Sequence, residues 1–472
     1  MSFVLYFKEN WEETVTYINC CFEIFHKEDK SMQLFTFKGG IHPPHRKKQT
    51  ENMPATKAKP PGVVYIPLLQ HIGAPCVPVV SKGEYVKVGQ KIGEAQGFVS
   101  IPVHSSVSGT VQALKEMPLQ GGTKVLCVVI ENDFKDELHE SVTPKGDLSE
   151  LSPEEIIQMI KEAGIAGMGG AAFPTHVKLS PPSEKNVDTV VLNGAECEPY
   201  LTADHRLMLE TPEDVIDGAR AIMKALGISR AYIGIEDNKK DVINGMQNEI
   251  KDGEDINVVL LKTKYPQGAE KQLIYACTGR MVPSGGLPMD AGVVVNNVAT
   301  AAQIARTIKT GMPSIERITT VTGGAINSPH NLIVKIGTLY SDLIDECGGF
   351  KEEPAKVISG GPMMGLAQSS VQIPVTKGTS GILCLTKEEA KRPEPENCIR
   401  CGRCFTVCPV NLQPLYISAY SLKYDYKKAE EYKAMDCIEC GSCSFICPSK
   451  RPLLESIRVA KREIVASRRK QK

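Results

Sequence analysis

No stretch of the chain approaches the roughly 18 to 20 uninterrupted apolar residues that a spanning helix needs, so any membrane association is expected to be peripheral. Net charge is missing as well. Lys plus Arg and Asp plus Glu each number 55, which removes an overall drive toward nucleic acid or anionic lipid, and no nucleic-acid partner is expected. A signal-peptide core is also lacking: the opening residues 1–31 are apolar in places, but Lys8, Glu9, Glu12, Glu13 and Glu23 interrupt them, so export is not expected. Charge is biased only at the far end, where Arg458, Lys461, Arg462, Arg468, Arg469, Lys470 and Lys472 make 461–472 a basic tail. Such a tail is either a solvated helix end or a dock for an acidic partner or membrane surface.

What is present begins with length. A chain of 472 residues exceeds what one core usually supports, so several domains are expected. From 62 to 111, short apolar runs alternate with turn residues, as in Val63-Val64-Tyr65-Ile66 and Tyr85-Val86-Lys87-Val88-Gly89. They predict an all-β module that resembles the half-repeats of lipoyl-type barrel-sandwich domains. The turn Gly97-Phe98-Val99-Ser100 holds no carrier lysine, so a scaffold is expected rather than a swinging arm. Beyond 133–150 helices and strands alternate, the mark of an α/β domain. Ser152-Pro153-Glu154-Glu155 reads as a capping box opening a helix that Gly164 ends, and Thr211-Pro212 as the cap of a second closed by Gly227. Strands are expected at 188–192, 231–235, 257–261 and 293–295, with helices near 270–277 and 299–309. Residues 316–385 return to short strands around one helix, 339–346, which suits a small α+β module such as a β-grasp.

Cysteine usage carries the strongest chemistry. Of the 16 cysteines, eight form two copies of one pattern: Cys398-x-x-Cys401-x-x-Cys404-x-x-x-Cys408-Pro409, repeated as Cys437-x-x-Cys440-x-x-Cys443-x-x-x-Cys447-Pro448. Three thiolates at this spacing wrap one iron cubane, while the fourth points toward the neighbouring cluster. By that rule Cys398, Cys401, Cys404 and Cys447 hold one 4Fe-4S cluster, and Cys437, Cys440, Cys443 and Cys408 the other. Zinc sites usually close with two Cys-x-x-Cys knuckles and no third cysteine in the run. Gly402 and Gly441 leave room for backbone N–H groups near the sulfides, whereas Arg400, Arg403 and Glu439 are expected to face solvent. Cys76, Cys127, Cys277, Cys347 and Cys384 read as buried small hydrophobes.

Two one-electron clusters call for a two-electron partner. Gly164-Ile165-Ala166-Gly167-Met168-Gly169-Gly170-Ala171-Ala172-Phe173-Pro174-Thr175 is a small-residue loop whose backbone can approach a ligand closely. It follows a helix and not a strand, which argues against a dinucleotide-fold fingerprint. Asn193-Gly194-Ala195-Glu196-Cys197-Glu198-Pro199 and Asn296-Asn297 each end an expected strand, where α/β ligand sites lie. Asn supplies both donors and acceptors, suited to a flavin edge or ribityl chain.

Taken in order, Gly-Gly-Ala-x-Phe-Pro-Thr, Asn-x-x-Glu-x-Glu-Pro and Val-Asn-Asn-Val-x-Thr resemble the flavin-binding, NADH-oxidising subunit of respiratory complex I. That resemblance implies noncovalent FMN with NAD(H) stacked on it. Carried over by position, Gly167, Gly169, Gly170, Phe173, Lys178, Asn193, Glu196, Glu198, Asn296 and Asn297 become flavin or nucleotide contacts. Among them Glu196 or Glu198 would hold the nicotinamide carboxamide, and Lys178 would offset phosphate or reduced-flavin charge. Met168, Ala195, Cys197 and Ala299 depart from that family, which has Arg, Asp, Ser and Glu there.

The segment Phe37-Lys38-Gly39-Gly40-Ile41-His42-Pro43-Pro44 and the barrel-sandwich module are similar to the RnfC component of Rnf complexes. The implied architecture is multidomain α/β and α+β: an N-terminal extension at 1–31 that precedes the family's usual start, a barrel-sandwich hybrid at 32–132, an FMN/NAD-binding α/β domain at 150–315, a β-grasp at 316–385 and a ferredoxin-like dicluster domain at 390–460. The resemblance further implies electron passage between the clusters, FMN and NAD(H) in an ion-translocating ferredoxin:NAD oxidoreductase. It places the chain peripherally on the cytoplasmic face of the membrane. Expected partners are other subunits of the complex, including an iron–sulfur subunit that exchanges electrons with ferredoxin. Two rivals stay open: a diaphorase subunit of another NAD-linked complex, and an iron–sulfur wire whose flavin pocket is vestigial.

Overall fold

The computed structural model describes residues 33–470, so the expectation for 1–31 lies outside the described residues. The elements belong to the unit that begins at Phe35. Residues 35–57, expected inside the barrel-sandwich, join other parts of the molecule. Phe35 bridges Leu261 and Ile41 bridges Tyr265, while β1 (Ala55–Lys57) pairs in parallel with residues 331–333. A strand of three residues without apolar alternation carries no signal of its partner.

The barrel-sandwich follows as two small sheets. One has the order β2-β8-β7-β4, from β2 (Val63–Pro67), β4 (Tyr85–Val86), β7 (Gly109–Pro118) and β8 (Lys124–Asn132); the other is β3 (Val77–Pro78), β5 (Lys91–Glu94) and β6 (Val103–His104). Val64, Ile66, Ile92, Val111, Val128 and Ile130 meet between them. The β7–β8 hairpin runs well past the expected end at Val111: its outer half turns Leu114, Lys115 and Glu116 to solvent and packs Met117 and Cys127 against Leu339.

In the α/β domain, α1 (Pro153–Glu162) starts at a complete capping box, Ser152 with Glu155, and Gly164 at φ 61° turns the chain out. Next come α2 (Thr175–Lys178), β9 (Thr189–Gly194), α3 (Ala203–Glu210), α4 (Pro212–Leu226), β10 (Arg230–Glu236), α5 (Ile243–Asn248), β11 (Asp255–Leu261), α6 (Glu270–Thr278), β12 (Val293–Asn297) and α7 (Val298–Thr310). Thr211 does not cap α4: its hydroxyl donates back to Leu207 O at 3.1 Å, leaving no side-chain cap. The four strands are parallel, in the order β11-β10-β9-β12, and are covered on both faces as such sheets require. Val190, Leu192, Ile233 and Ile235 face α1, α4 and α7; Val191, Val259, Leu261 and Val295 face α6. The chain lays β10 and β11 outward on one side of β9, then returns to place β12 on the other. That reversal opens a crevice beyond the carboxyl ends of β9 and β12, where α/β ligand sites form.

A mixed sheet in the order β1-β14-β13-β17-β15-β16 follows, from β13 (Glu316–Thr322), β14 (His330–Lys335), β15 (Lys356–Ser359), β16 (Leu366–Gln368) and β17 (Gly381–Leu385), with α8 (Tyr340–Glu346) packed on it through Leu343 and Ile344. Residues 391–402 are irregular and exposed. They lead to α9 (Arg403–Thr406), α10 (Pro414–Ser421), α11 (Tyr426–Glu431), α12 (Ser442–Ile446) and α13 (Leu453–Lys470). Ile457, Ala460 and Ile464 of α13 seat on Ile417 and Ala429. Among the described residues no helix is long and apolar enough to cross a membrane. The basic end is partly neutralised within the chain: Arg458 and Lys461 pair with Glu439 at 2.9 and 2.6 Å, and Arg468 pairs with Glu430. Glu439 is therefore half-buried and not the solvent-facing residue expected.

Candidate functional site

Both cysteine runs take one backbone path. Arg400 and Glu439 adopt left-handed φ of 56° and 58°, and Gly402 and Gly441 of 73° and 78°. These turns aim backbone donors inward: the N–H groups of Arg400, Glu439 and Leu412 reach the sulfurs of Cys398, Cys437 and Cys408 at 3.4, 3.4 and 3.3 Å. Hydrogen bonds of this kind favour thiolate and tune a cluster's potential. The fourth cysteine of each run lies near the other run. Cys398, Cys401, Cys404 and Cys447 line one cavity, while Cys408 lies within electrostatic reach of Cys437, Cys440 and Cys443, and also of Cys404 in its own run. Among the described residues no three His, Cys, Asp or Glu converge as a single ion needs; a cubane is held at its corners, so its ligands ring a space.

The two sets differ in exposure. In the first, Cys398 and Cys401 are exposed, Cys404 half-buried and Cys447 buried; in the second, Cys437 is half-buried and Cys408, Cys440 and Cys443 are buried. Cys440 packs with Ile41, Tyr265, Cys197 and Met363, which puts the inner set against the loop that leaves β9. The outer set opens at the surface beside Ile399, 68% exposed.

At the crevice, register brings the expected asparagines together: Asn297 of β12 stands opposite Asn193 of β9. The glycine loop is a hairpin closed by the bridge between Ala166 and Pro174 and by Gly167 N to Phe173 O at 2.8 Å. It leans on α7 through Met168 N to Thr300 Oγ1 at 2.9 Å. A Cβ on Gly169 would meet Asn297 Cβ at 3.0 Å, while one on Gly170 would meet nothing. The loop thus presents bare backbone to the crevice. Asn193 and Asn297 spend their side chains on the protein, donating to Gly268 O at 2.8 Å and to Asp204 Oδ2 at 2.7 Å. Asn296 does not: its Nδ2 is buried without a partner, a condition native proteins seldom leave unexplained. Lys178 Nζ donates to Val295 O at 3.1 Å and pairs with Glu270 at 3.3 Å. An unpaired donor, a bare glycine hairpin and a nearby lysine fit a noncovalent flavin nucleotide.

Glu196 and Glu198 are occupied otherwise than expected. Glu196, at φ 45°, accepts from Asp204 N at 2.7 Å and pairs with Lys47 at 3.4 Å. Glu198 accepts from Met363 N and Met364 N at 3.0 and 2.9 Å, and burial pushes its carboxyl up to about 7. As placed, neither carboxylate is available to a nicotinamide; both brace the loop. Sequence reasoning missed their partners. Lys47 and Asp204 sit in unremarkable sequence, though Gly360-Gly361-Pro362-Met363-Met364-Gly365 does signal a close backbone approach, since a Cβ on Gly361 would lie 2.2 Å from Glu198 Oε2.

Four family models match in succession: the RnfC barrel sandwich hybrid domain over residues 35–135, the Nuo51 FMN-binding domain over 160–306, the SLBB domain over 318–367 and the 4Fe-4S dicluster domain over 390–448. The chain is 57% identical to the C component of the Na(+)-translocating ferredoxin:NAD(+) oxidoreductase complex of Acetobacterium woodii, over 92% of this chain and 98% of that one. It is 52% identical to the C component of the proton-translocating ferredoxin:NAD(+) oxidoreductase complex of Clostridium ljungdahlii, over 93% and 96%. To the C component of the ion-translocating oxidoreductase complex of Rhodobacter capsulatus it is 41% identical, over 91% and 83%. Among solved structures, an NAD+-reducing NiFe hydrogenase in its H2-reduced state overlaps 69% of this chain and 63% of its own, with a TM-score of 0.45 at 17% identity.

Proposed function

Since the chain belongs to the RnfC family, the C components of ion-translocating ferredoxin:NAD(+) oxidoreductase complexes, we propose a division of labour among its parts. It is an electron-transfer subunit of such a complex, with an FMN-binding and a 4Fe-4S dicluster domain, and its partners are the other subunits. When bound, the clusters supply one-electron transfer and FMN the exchange between single electrons and the hydride of NAD(H).

The outer set Cys398, Cys401, Cys404 and Cys447, of which Cys398 and Cys401 are exposed, is the terminal that meets a neighbouring iron–sulfur subunit. The inner set Cys437, Cys440, Cys443 and Cys408 serves the crevice. There Gly167, Gly169, Gly170 and Phe173 form the bed of the flavin, Asn296 donates to it, and Asn193 and Asn297 shape the strand ends. Lys178 brings positive charge to the same side. Glu196 and Glu198 act as positioning residues, fastening the loop that runs from the crevice to the inner thiols. Ion translocation requires a membrane, and a subunit that meets NAD(H) belongs peripherally on its cytoplasmic face.

One observation supports this reading most directly. The loop that leaves β9, whose Asn193 stands opposite Asn297 in the crevice, packs Cys197 against Cys440 of the inner cysteines, while the neighbouring Asn296 amide is buried without a partner. The test is anaerobic reconstitution of the full chain, followed by iron and flavin analysis. FMN retained with roughly eight irons, together with NADH-dependent dye reduction, is the expected result. Iron without FMN or dye reduction would leave only a wire.

A further inference from the structure

Against the glycine loop, at Gly170 and Ala172, lies a turn that belongs to neither the crevice nor the cysteine sites. Residues 376–379 connect β16 to β17, and hydrogen bonds fasten them. Thr379 Oγ1 receives Thr376 N at 3.0 Å and the Gln120 amide at 2.7 Å, and Thr379 O accepts from Thr319 Oγ1 at 3.0 Å. Lys377 N donates to Gln70 Oε1 at 3.2 Å, and Lys377 O accepts from Arg317 Nη1 at 2.6 Å. So anchored, the turn reaches Gly164, where the chain enters the glycine loop, and Gly170 and Ala172 within it. Lys377 Nζ donates to Gly164 O at 2.6 Å and to Pro102 O of the barrel-sandwich at 3.3 Å. A Cβ on Gly378 would stand 3.5 Å from both Gly170 O and Ala172 Cβ.

Lys377 is 1% exposed, and among the described residues no carboxylate pairs with it. The ionisable groups that feel it are His71, His104 and Cys76. Both histidines are buried with Nδ1 unpartnered; burial first, and Lys377 second, disfavour their protonation. Burial pulls the ammonium itself down to about 8, which leaves it mostly charged at neutral pH. An ammonium taken out of water with two carbonyls and no counter-charge costs several kcal/mol. An apolar side chain of the same length would fill the space and avoid that cost, losing only the donor to Gly164 O and Pro102 O.

We propose that Lys377 is a positioning residue for the flavin: it pins the first residue of the glycine loop and leaves there a positive charge that the FMN phosphate offsets. The inference rests on the flavin reading of the crevice. It predicts that the lysine weakens the empty fold and strengthens the occupied one, a combination that a purely structural residue does not produce.

The test uses the full chain with its clusters reconstituted anaerobically, as wild type, Lys377→Met and Lys377→Gln. FMN affinity is read from flavin fluorescence, the flavin midpoint potential from redox titration, and stability from thermal melts with and without FMN. Lys377→Met is expected to melt no lower than wild type without FMN, to bind FMN at least tenfold more weakly and to show a smaller FMN-induced rise in Tm. Its bound flavin should have a lower midpoint potential. Lys377→Gln, which keeps a donor for Gly164 O without the charge, should fall between the two and carries the comparison if the Met variant does not fold. FMN affinity within twofold of wild type and an unchanged potential in the folded variants would overturn the role of Lys377 alone. A wild-type chain that takes up no FMN would overturn the flavin reading along with it.

Discussion

Asp204 is a carboxylate that the fold would prefer neutral. It is half-buried beside Asn297, from which it accepts at 2.7 Å; burial, helped by nearby Glu196, pushes its pKa up to about 6 from an ordinary 3.8. Between those values the native state binds more protons than the unfolded chain, so stability attributable to this group falls as pH rises through that window. Asp204→Asn keeps an acceptor for Asn297 and removes the titration. Its stability relative to wild type is expected to grow from pH 4 to pH 6.5 by up to roughly 3 kcal/mol, as read by denaturant unfolding of the metal-free chain; parallel profiles would refute the assignment. Gly169 makes a second case at this scale. Gly169→Ala sets a methyl 3.0 Å from Asn297 Cβ on the face turned to the crevice, and is expected to abolish FMN retention in a gel-filtered sample while iron content stays at wild-type level. The glycines, asparagines and cysteines were legible because each is a chemical type needed at a fixed local spacing. Asp204, Lys47 and Lys377 were not, because their partners lie far along the chain and nothing in their immediate sequence marks them.

At the scale of elements, the helices and parallel strands of the α/β domain could be read from apolar runs with caps, and most observed ends fall within a few residues of those expected. Segments whose partners are set by tertiary pairing could not. Residues 55–57 join a sheet whose other strands begin at Glu316, and the outer β7–β8 hairpin buries little more than Met117 and Cys127, against a residue as distant as Leu339. Helix contact adds a constraint that sequence hides. A Cβ on Gly218 in α4 would lie 2.0 Å from Ala301 O in α7, so Gly218→Ala must force the pair apart. A loss of about 1–3 kcal/mol is expected, seen as a lower denaturation midpoint; an unchanged midpoint would mean the helices have slack. The cysteine runs carry a local spacing from which a crossing of their fourth ligands is expected. Cys447→Ser, although it lies in the second run, should strip the cluster of the first, leaving roughly four irons and the electron paramagnetic resonance of the inner set alone. Loss of the inner signal instead would mean that each run closes on itself.

At the scale of the molecule, the question is what holds the dicluster domain against the flavin domain closely enough for the two to act together. The clasp is residues 39–41, which touch both. Gly40 N donates to Val407 O at 2.9 Å, and Ile41 and Tyr265 exchange backbone hydrogen bonds at 2.8 and 2.9 Å. Gln272 of the flavin domain adds a bond to Pro409 O at 3.1 Å. Gly39 makes the approach possible: at φ +87° it holds a conformation that side chains disfavour, and a Cβ there would lie 3.0 Å from Cys408 O and 3.2 Å from Val407 O. Gly39→Ala should therefore cost about 1–3 kcal/mol locally and loosen the inner thiols from the loop at Cys197 without touching either set of ligands. Iron and FMN content are expected to stay at wild-type level, while NADH-driven reduction of the inner cluster, followed by rapid-freeze electron paramagnetic resonance, slows. Cys401→Ser supplies the contrast, since it damages the outer set, leaves the clasp intact and should cost exchange with the partner subunits while sparing that inner step. If Gly39→Ala leaves the rate of inner-cluster reduction unchanged, the clasp is only a tether, and the closeness of crevice and cluster must be enforced by Glu198 and its hold on residues 363–364.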